Sequence, residues 1–230
     1  FYSAAVHGRS VIHGDTGVDE TLRITRATSE KLHRFAFRLT EKRKSRGKLG
    51  RLTCVDKANV FTSMAFFRSI FDEVAAGFPG VAHDYCYVDA MALELVRRPW
   101  EYDVMVTENM FGDILSDLTA GLVGGMGIAS CAEIGDHHGL FQPAHGSAPD
   151  IMGQDRANPL ATILSGALLL EYLAERLGDN RYADAAMVIE AAVEQGFTDG
   201  ELRPMEFGGT MGTDAMTRAV LNRTGQKGGR

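Results

Sequence analysis

Short apolar runs alternate with longer segments whose apolar residues recur at helical spacing, and the alternation continues almost from end to end. Thr28 or Ser29 can open a helix in which Leu32, Phe35, Ala36 and Leu39 fall at i, i+3, i+4 and i+7. Residues 51–56 read as a strand. Thr62 or Ser63 then starts a helix with Phe66, Phe67, Ile70, Phe71 and Val74 on one side, closed by Gly77 and Pro79. Residues 81–88 read as a strand, followed by a helix from Asp89 that Pro99 forbids from continuing. A strand over residues 102–107 and a helix over 111–122 repeat the unit. Past the glycine-rich residues 121–127 the pattern loosens around 133–150, and three helices close the chain near 159–177, 181–195 and 213–223. Strands exchanged for helices in this way predict an α/β chain with a largely parallel sheet.

Composition narrows the function classes. The 230 residues, 45% hydrophobic and 23% charged, can bury a core in one large or two small domains and do not describe a disordered tail. A formal net charge of −6 disfavours nucleic acid or an anionic membrane as the main partner. The basic run Lys42, Arg43, Lys44, Arg46, Lys48 and Arg51 has no interleaved aromatic residue and follows a helix C-terminus, where cations are favoured anyway; it reads as a solvated helix end. The longest apolar stretch, residues 160–170, contains Thr162, Ser165 and Gly166 and is too short to span a bilayer. Cys54, Cys86 and Cys131 lie far apart with no Cys-x-x-Cys pair, so a reducing cytoplasm is expected, not a disulfide framework or a structural zinc site. No signal peptide is visible, and the chain opens at Phe1 without Met, as though entered midway.

Several constellations carry chemistry. Asp113 and Asp117 lie one helical turn apart on one face. Acidic residues suit the first turns of any helix. Yet like charges at i, i+4 repel, and Ile114, Leu115 and Leu118 predict a mostly buried helix, where oxygen ligands would suit Mg²⁺ or Mn²⁺. Asp89, where a strand gives way to a helix, reads as an N-cap before it reads as a ligand. Lys57 sits just past a strand's C-terminal end, the edge at which open α/β sheets bind ligands, but alone it is equally a surface charge. Residues 143–150, Pro-Ala-His-Gly-Ser-Ala-Pro-Asp, form a non-periodic segment suited to a rigid nucleotide-holding loop or to a structural turn. Gly125-Met126-Gly127 is no dinucleotide fingerprint, because Ser130 occupies the sixth position and a helix precedes it. Adjacent His137 and His138 suit a loop. Neither a P-loop nor a Gly-x-Ser-x-Gly elbow is present.

Taken together these segments resemble the decarboxylating 2-hydroxy-acid dehydrogenases of the isocitrate/isopropylmalate dehydrogenase family. The resemblance rests on Val55-Asp56-Lys57-Ala58-Asn59-Val60, Val88-Asp89-Ala90-Met91-Ala92, Thr107–Leu118, His145–Ile151 and Ala157-Asn158-Pro159, in order and across nearly the whole chain. It implies a mainly parallel sheet flanked by helices in two domains sharing a cleft. Residues 1–123 would be an N-terminally incomplete dimerisation, metal and substrate domain, and residues 124–230 the C-terminal part of a cofactor-binding domain. By the same resemblance Asp113 and Asp117 are metal ligands, and Asp89 is the third, reaching across a homodimer with shared active sites. Lys57, also contributed across the dimer, handles the proton of the substrate's 2-hydroxyl, and Tyr2 protonates the enolate left by decarboxylation. Asn59 lies near substrate and nicotinamide. His145, Gly146, Ser147, Ala148, Asp150 and Asn158 form the adenosine site, where Asp150 would favour NAD over NADP.

The implied reaction is NAD-dependent oxidation and decarboxylation of a malate-type 2-hydroxy acid of the 3-isopropylmalate, isocitrate or homoisocitrate class, with Mg²⁺ or Mn²⁺. A tartrate- or malate-type dehydrogenase, or a non-catalytic regulatory subunit, is the competing expectation. Retention of Tyr2, Lys57, Asp89, Asp113 and Asp117 argues against the regulatory subunit. Gln154-Asp155-Arg156 departs from the family's usual Lys-Gly-Ile, and Ala144 from a valine. The family's substrate-clamping arginines precede the position matched by Tyr2, so this chain alone is expected to be inactive and to self-associate.

Overall fold

The computed structural model describes residues 10–226. They fall into two compact units, one ending at Leu118 and the other beginning at Thr119.

The first unit opens with an antiparallel pair, β1 (Ser10–Ile12) and β2 (Val18–Glu20). Its centre is a parallel sheet of β3 (Arg51–Asp56), β4 (Ala82–Tyr87) and β5 (Val104–Val106) in the order β4-β3-β5. Four helices serve this sheet: α1 (Arg26–Ser45), α2 (Thr62–Ala75), α3 (Val88–Arg97) and α4 (Asn109–Leu122). Period-two alternation distributes the strands between two cores. Leu52, Cys54, Val104 and Val106 join Phe37, Phe67, Ile70 and Phe71 of α1 and α2. Val55 joins Met91 and Leu95 of α3 and Leu115 of α4, with Met105 packed against them. From Leu52 to Asp56 every residue of β3 is buried, as a parallel strand covered on both faces requires.

The second unit is an antiparallel hairpin of β6 (Ser130–Ile134) and β7 (Gly139–Pro143), with α5 (Leu160–Leu177), α6 (Asn180–Thr198) and α7 (Thr213–Gln226). Leu160, Ala192, Val193, Leu202, Met216 and Val220 form its core. The hairpin is the element that the weak periodicity of residues 133–150 conceals. It is held from outside: Phe141 meets the Tyr172 ring at 5.4 Å, and the Ser165 hydroxyl donates to the Gln142 carbonyl at 2.8 Å. His137 and His138 lie in its turn, as expected of a loop.

Two local expectations are corrected. The first helix starts at Arg26, not at Thr28 or Ser29, and turns Ser29, His33, Ala36, Phe37 and Thr40 inward while Leu32 and Phe35 stay exposed. Buried polar residues on this face find partners, which is why an apolar count points to the wrong stripe: Thr40 donates to the Ala36 carbonyl and His33 Nε2 to that of Phe67. Helix α4 is half-buried, not mostly buried, since Ile114 is 59% exposed and only Leu115 and Ala120 are fully covered. The basic run behaves as a helix end and turn. Arg43 pairs with Asp103 at 2.5 Å, Lys44 donates to the Gly80 carbonyl, and Arg51 pairs with Asp84. Among the described residues no helix is long and apolar enough to cross a membrane.

His33 links this core to pH. Its Nε2 carries the proton, because a carbonyl can only accept, and the buried Nδ1 has no partner. Burial pushes the imidazole from its ordinary 6.5 down to about 4. The unfolded chain therefore takes up a proton near pH 6.5 and the folded chain only near about 4. The stability that His33 contributes as a neutral group is intact above pH 6.5 and is lost as pH falls toward 4, by about 3 kcal/mol at full effect. Thermal unfolding followed from neutral to acid pH should show that decline, and His33→Gln should flatten it.

Candidate active site and nucleotide cavity

All three parallel strands end at the same edge, and the residues that follow them are the ones the sequence singles out. The register Asp56↔Tyr87 places Lys57, just after β3, level with the start of α3, where Asp89 occupies the first turn. The Lys57 ammonium donates to Asp89 Oδ1 at 2.5 Å and lies 5.7 Å from the centre of the Tyr87 ring. Lys57 in turn holds the Asp89 carboxyl below its usual range. The N-cap of α3 is Tyr87, so Asp89 is not the cap. Asn59 is exposed two residues beyond Lys57.

After β5 the chain enters α4, whose N-terminal amides are capped by a buried side chain. Glu108 accepts from Phe111 N at 2.7 Å and Met110 N at 3.0 Å. One and two turns further along, Asp113 and Asp117 are exposed on α4. Among the described residues no group of three His, Cys, Asp or Glu side chains is close enough to hold a metal. By themselves Asp113 and Asp117 offer oxygen ligands of the kind Mg²⁺ and Mn²⁺ take. Tyr2 lies outside the described residues.

The sequence reading missed the support beneath Lys57. Asp56, with a fully buried side chain, accepts Arg68 Nε at 2.7 Å, Arg68 Nη2 at 2.8 Å and the Ala58 amide at 2.8 Å. The pairing holds Arg68 charged to still higher pH than usual. Its guanidinium lies 4.8 Å from the Tyr85 ring and 5.3 Å from that of Tyr87. Tyr85 donates its hydroxyl to Asp72, which pushes the phenol up to about 12. Asp56 stands inside the Val-Asp-Lys-Ala-Asn segment and could have been noticed as an acid ending a buried strand; Arg68, on an amphipathic helix, gives no such signal.

In the second unit the non-periodic segment lines a cavity of about 550 Å³, within the range of nucleotide sites. His145, Gly146, Ser147, Ala148 and Asn158 line it, joined by the apolar side chains of Met126, Ile151, Met152 and Met205. Asp150 does not line it. That residue sits in the short 3₁₀ turn Pro149–Ile151, which follows a left-handed Ala148. Asn158 is fixed from both ends of its amide: Nδ2 donates to Glu206 at 3.0 Å and Oδ1 accepts Leu160 N at 3.1 Å. Glu206 also accepts the Gly127 amide at 3.1 Å. A side chain at position 127 would begin 2.6 Å from Asn158 Cβ, which cannot swing away as the Glu206 carboxylate can, so the close approach requires glycine.

The far wall is stitched to α7. Asp155, left-handed at φ 52°, accepts Asp214 N through its side chain and Thr213 N through its carbonyl, and Thr213 Oγ1 donates to the Ala157 carbonyl. A Cβ on Gly212 would lie 2.4 Å from the Asp155 carbonyl oxygen. Backbone cannot rotate away as a side chain can, so Gly212→Ala should lower the unfolding free energy of this unit by about 1–3 kcal/mol. Denaturant unfolding of the variant measures it.

The sequence pattern described as isocitrate/isopropylmalate dehydrogenase matches residues 1–220. A 3-isopropylmalate/3-methylmalate dehydrogenase of Methanocaldococcus jannaschii is 44% identical over 211 residues, covering 91% of this chain and 61% of the relative. A homoisocitrate dehydrogenase of the same organism is 39% identical, covering 94% and 58%. Among solved structures, isocitrate dehydrogenase from Methylococcus capsulatus superposes with a TM-score of 0.80 at 37% identity, covering 93% of this chain and 61% of that one. The chain thus spans about three fifths of the length of these relatives.

Proposed function

Because this chain belongs to the isocitrate/isopropylmalate dehydrogenase family, we propose that it serves the NAD-dependent oxidation and decarboxylation of a malate-type 2-hydroxy acid, of the 3-isopropylmalate, isocitrate or homoisocitrate class. The observation that carries this reading is the shared sheet edge: Lys57, Asp89 and the helix bearing Asp113 and Asp117 all follow carboxyl ends of parallel strands. Relatives named for 3-isopropylmalate, 3-methylmalate and homoisocitrate support the substrate class. Residues up to about 123 form the metal and dimer domain and those beyond it the cofactor domain, in a cytoplasmic enzyme.

Mg²⁺ or Mn²⁺ held by Asp113 and Asp117, with Asp89 arriving from a second subunit, supplies an electrophile toward the substrate's oxygen atoms, and NAD supplies the hydride acceptor. This chain's own residues manage protons and position. Lys57, in its neutral amine form, accepts the proton of the 2-hydroxyl and becomes the ammonium. Tyr2 returns a proton to carbon once CO₂ has left. Asn59 stands beside substrate and nicotinamide. His145, Gly146, Ser147, Ala148 and Asn158 seat the adenosine in the second-unit cavity. There Glu206 and Asp155 on the wall, and Asp150 beside it, make an acidic neighbourhood that disfavours a 2′-phosphate. Subunit pairing draws on the apolar side chains that unit 1 leaves exposed, Leu93 at 54%, Val96 at 59% and Ile114 at 59%.

NADH formation from a panel of hydroxy acids with NAD and Mg²⁺, on the full natural chain, tests the reading. Lys57→Ala should slow oxidation by roughly 10²–10⁴. Asp113→Asn and Asp117→Asn should weaken Mn²⁺ binding and turnover together. Unchanged metal-dependent turnover in the aspartate variants would remove the assignment, and better use of NADP would remove the cofactor preference.

The dimer has its own test. Ile114→Lys and Val96→Asp should shift the sedimentation of the protein from dimer toward monomer and abolish turnover, because each active site needs Lys57 and Asp89 from its neighbour.

A further inference from the structure

We propose that Asp56 and Arg68 are positioning residues for Lys57, acting through the loop peptide and the Tyr87 ring. The inference rests on the reading of Lys57 as acceptor of the hydroxyl proton. The Asp56 carboxylate binds on both sides of that residue: it belongs to residue 56 and accepts the amide of residue 58. The backbone of Lys57 is therefore held between two points fixed by one buried group. Arg68 anchors that group to α2 through both its Nε and Nη2. The same guanidinium lies over the Tyr87 ring, against which the Lys57 ammonium also rests. Two cations thus share one ring.

The clamp matters because the other contact of Lys57 is not durable. In this chain the ammonium is paired with Asp89, whose side chain is 68% exposed. On the proposed reading Asp89 serves a metal in the working dimer, and its carboxylate then has other demands on it. What continues to aim the four-carbon lysine stem is Tyr87 and the clamped loop. A purely structural role explains the arrangement poorly. A buried ion pair contributes little more stability than apolar residues of equal volume, whereas its directional bonds fix geometry.

The experiment uses the full natural chain with NAD, Mg²⁺ and its preferred hydroxy acid, beside decarboxylation of the corresponding added 2-keto acid. Arg68→Lys keeps the charge but cannot reproduce the two-pronged grip. It should lower kcat for oxidation about tenfold or more, leave the KM for NAD unchanged and spare decarboxylation of the keto acid. If loss of Arg68 also lowers the melting temperature, the double variant Asp56→Asn with Arg68→Gln leaves no buried charge unpaired. It should recover the fold but not the oxidation rate. A folded double variant that oxidises at the parent rate, or one that loses both half-reactions equally, overturns the inference. Lys57→Ala is run alongside. If it slows oxidation while the Arg68 variants do not, only the clamp falls; if it leaves oxidation untouched, the proton-acceptor reading falls and the clamp with it.

Discussion

A parallel strand covered on both faces can be joined to its neighbours only by crossovers, and β3 is such a strand. Each crossover in the first unit is a helix, and each delivers the chain back to the same starting side of the sheet. The carboxyl ends then gather at the opposite side without any residue there being selected for proximity. Lys57 and Asp89 become neighbours because Asp56 and Tyr87 are paired in register, although 32 residues separate them in sequence. Chemistry at this edge depends on strand pairing far more than on loop conformation.

A buried acid at the end of β3 is a costly choice in this arrangement. Asp56 would be expelled from an apolar environment unless its lone pairs were met, and Arg68 and the Ala58 amide meet them. The core of the sheet and the geometry of the loop are thereby joined in one group.

The legible parts of this chain are those with local causes. Residues 51–56 read as a strand because six residues without Gly or Pro precede a lysine and a turn, and Pro99 marks the end of α3 because its ring cannot continue a helix. Asp113 and Asp117, Lys57 and the loop over residues 143–150 stand out by type and spacing, and the family resemblance gives them their expected roles. What escapes is whatever depends on tertiary pairing. Leu32 and Phe35 suggest the wrong face of α1, since His33 and Thr40 are burial-competent only once the Phe67 and Ala36 carbonyls are known to be in reach. Glu206 lies 48 residues from Asn158, and nothing in either neighbourhood announces their bond.

The stitching of the cavity loop to α7 also sets an order of events. Residues 155 and 157 receive their partners from residues 213 and 214, at the start of α7 and more than fifty residues later. During synthesis the loop emerges well before those partners, and it waits with a left-handed aspartate that nothing yet holds in place. The far wall of the cavity is therefore complete only once the first turn of α7 has been made.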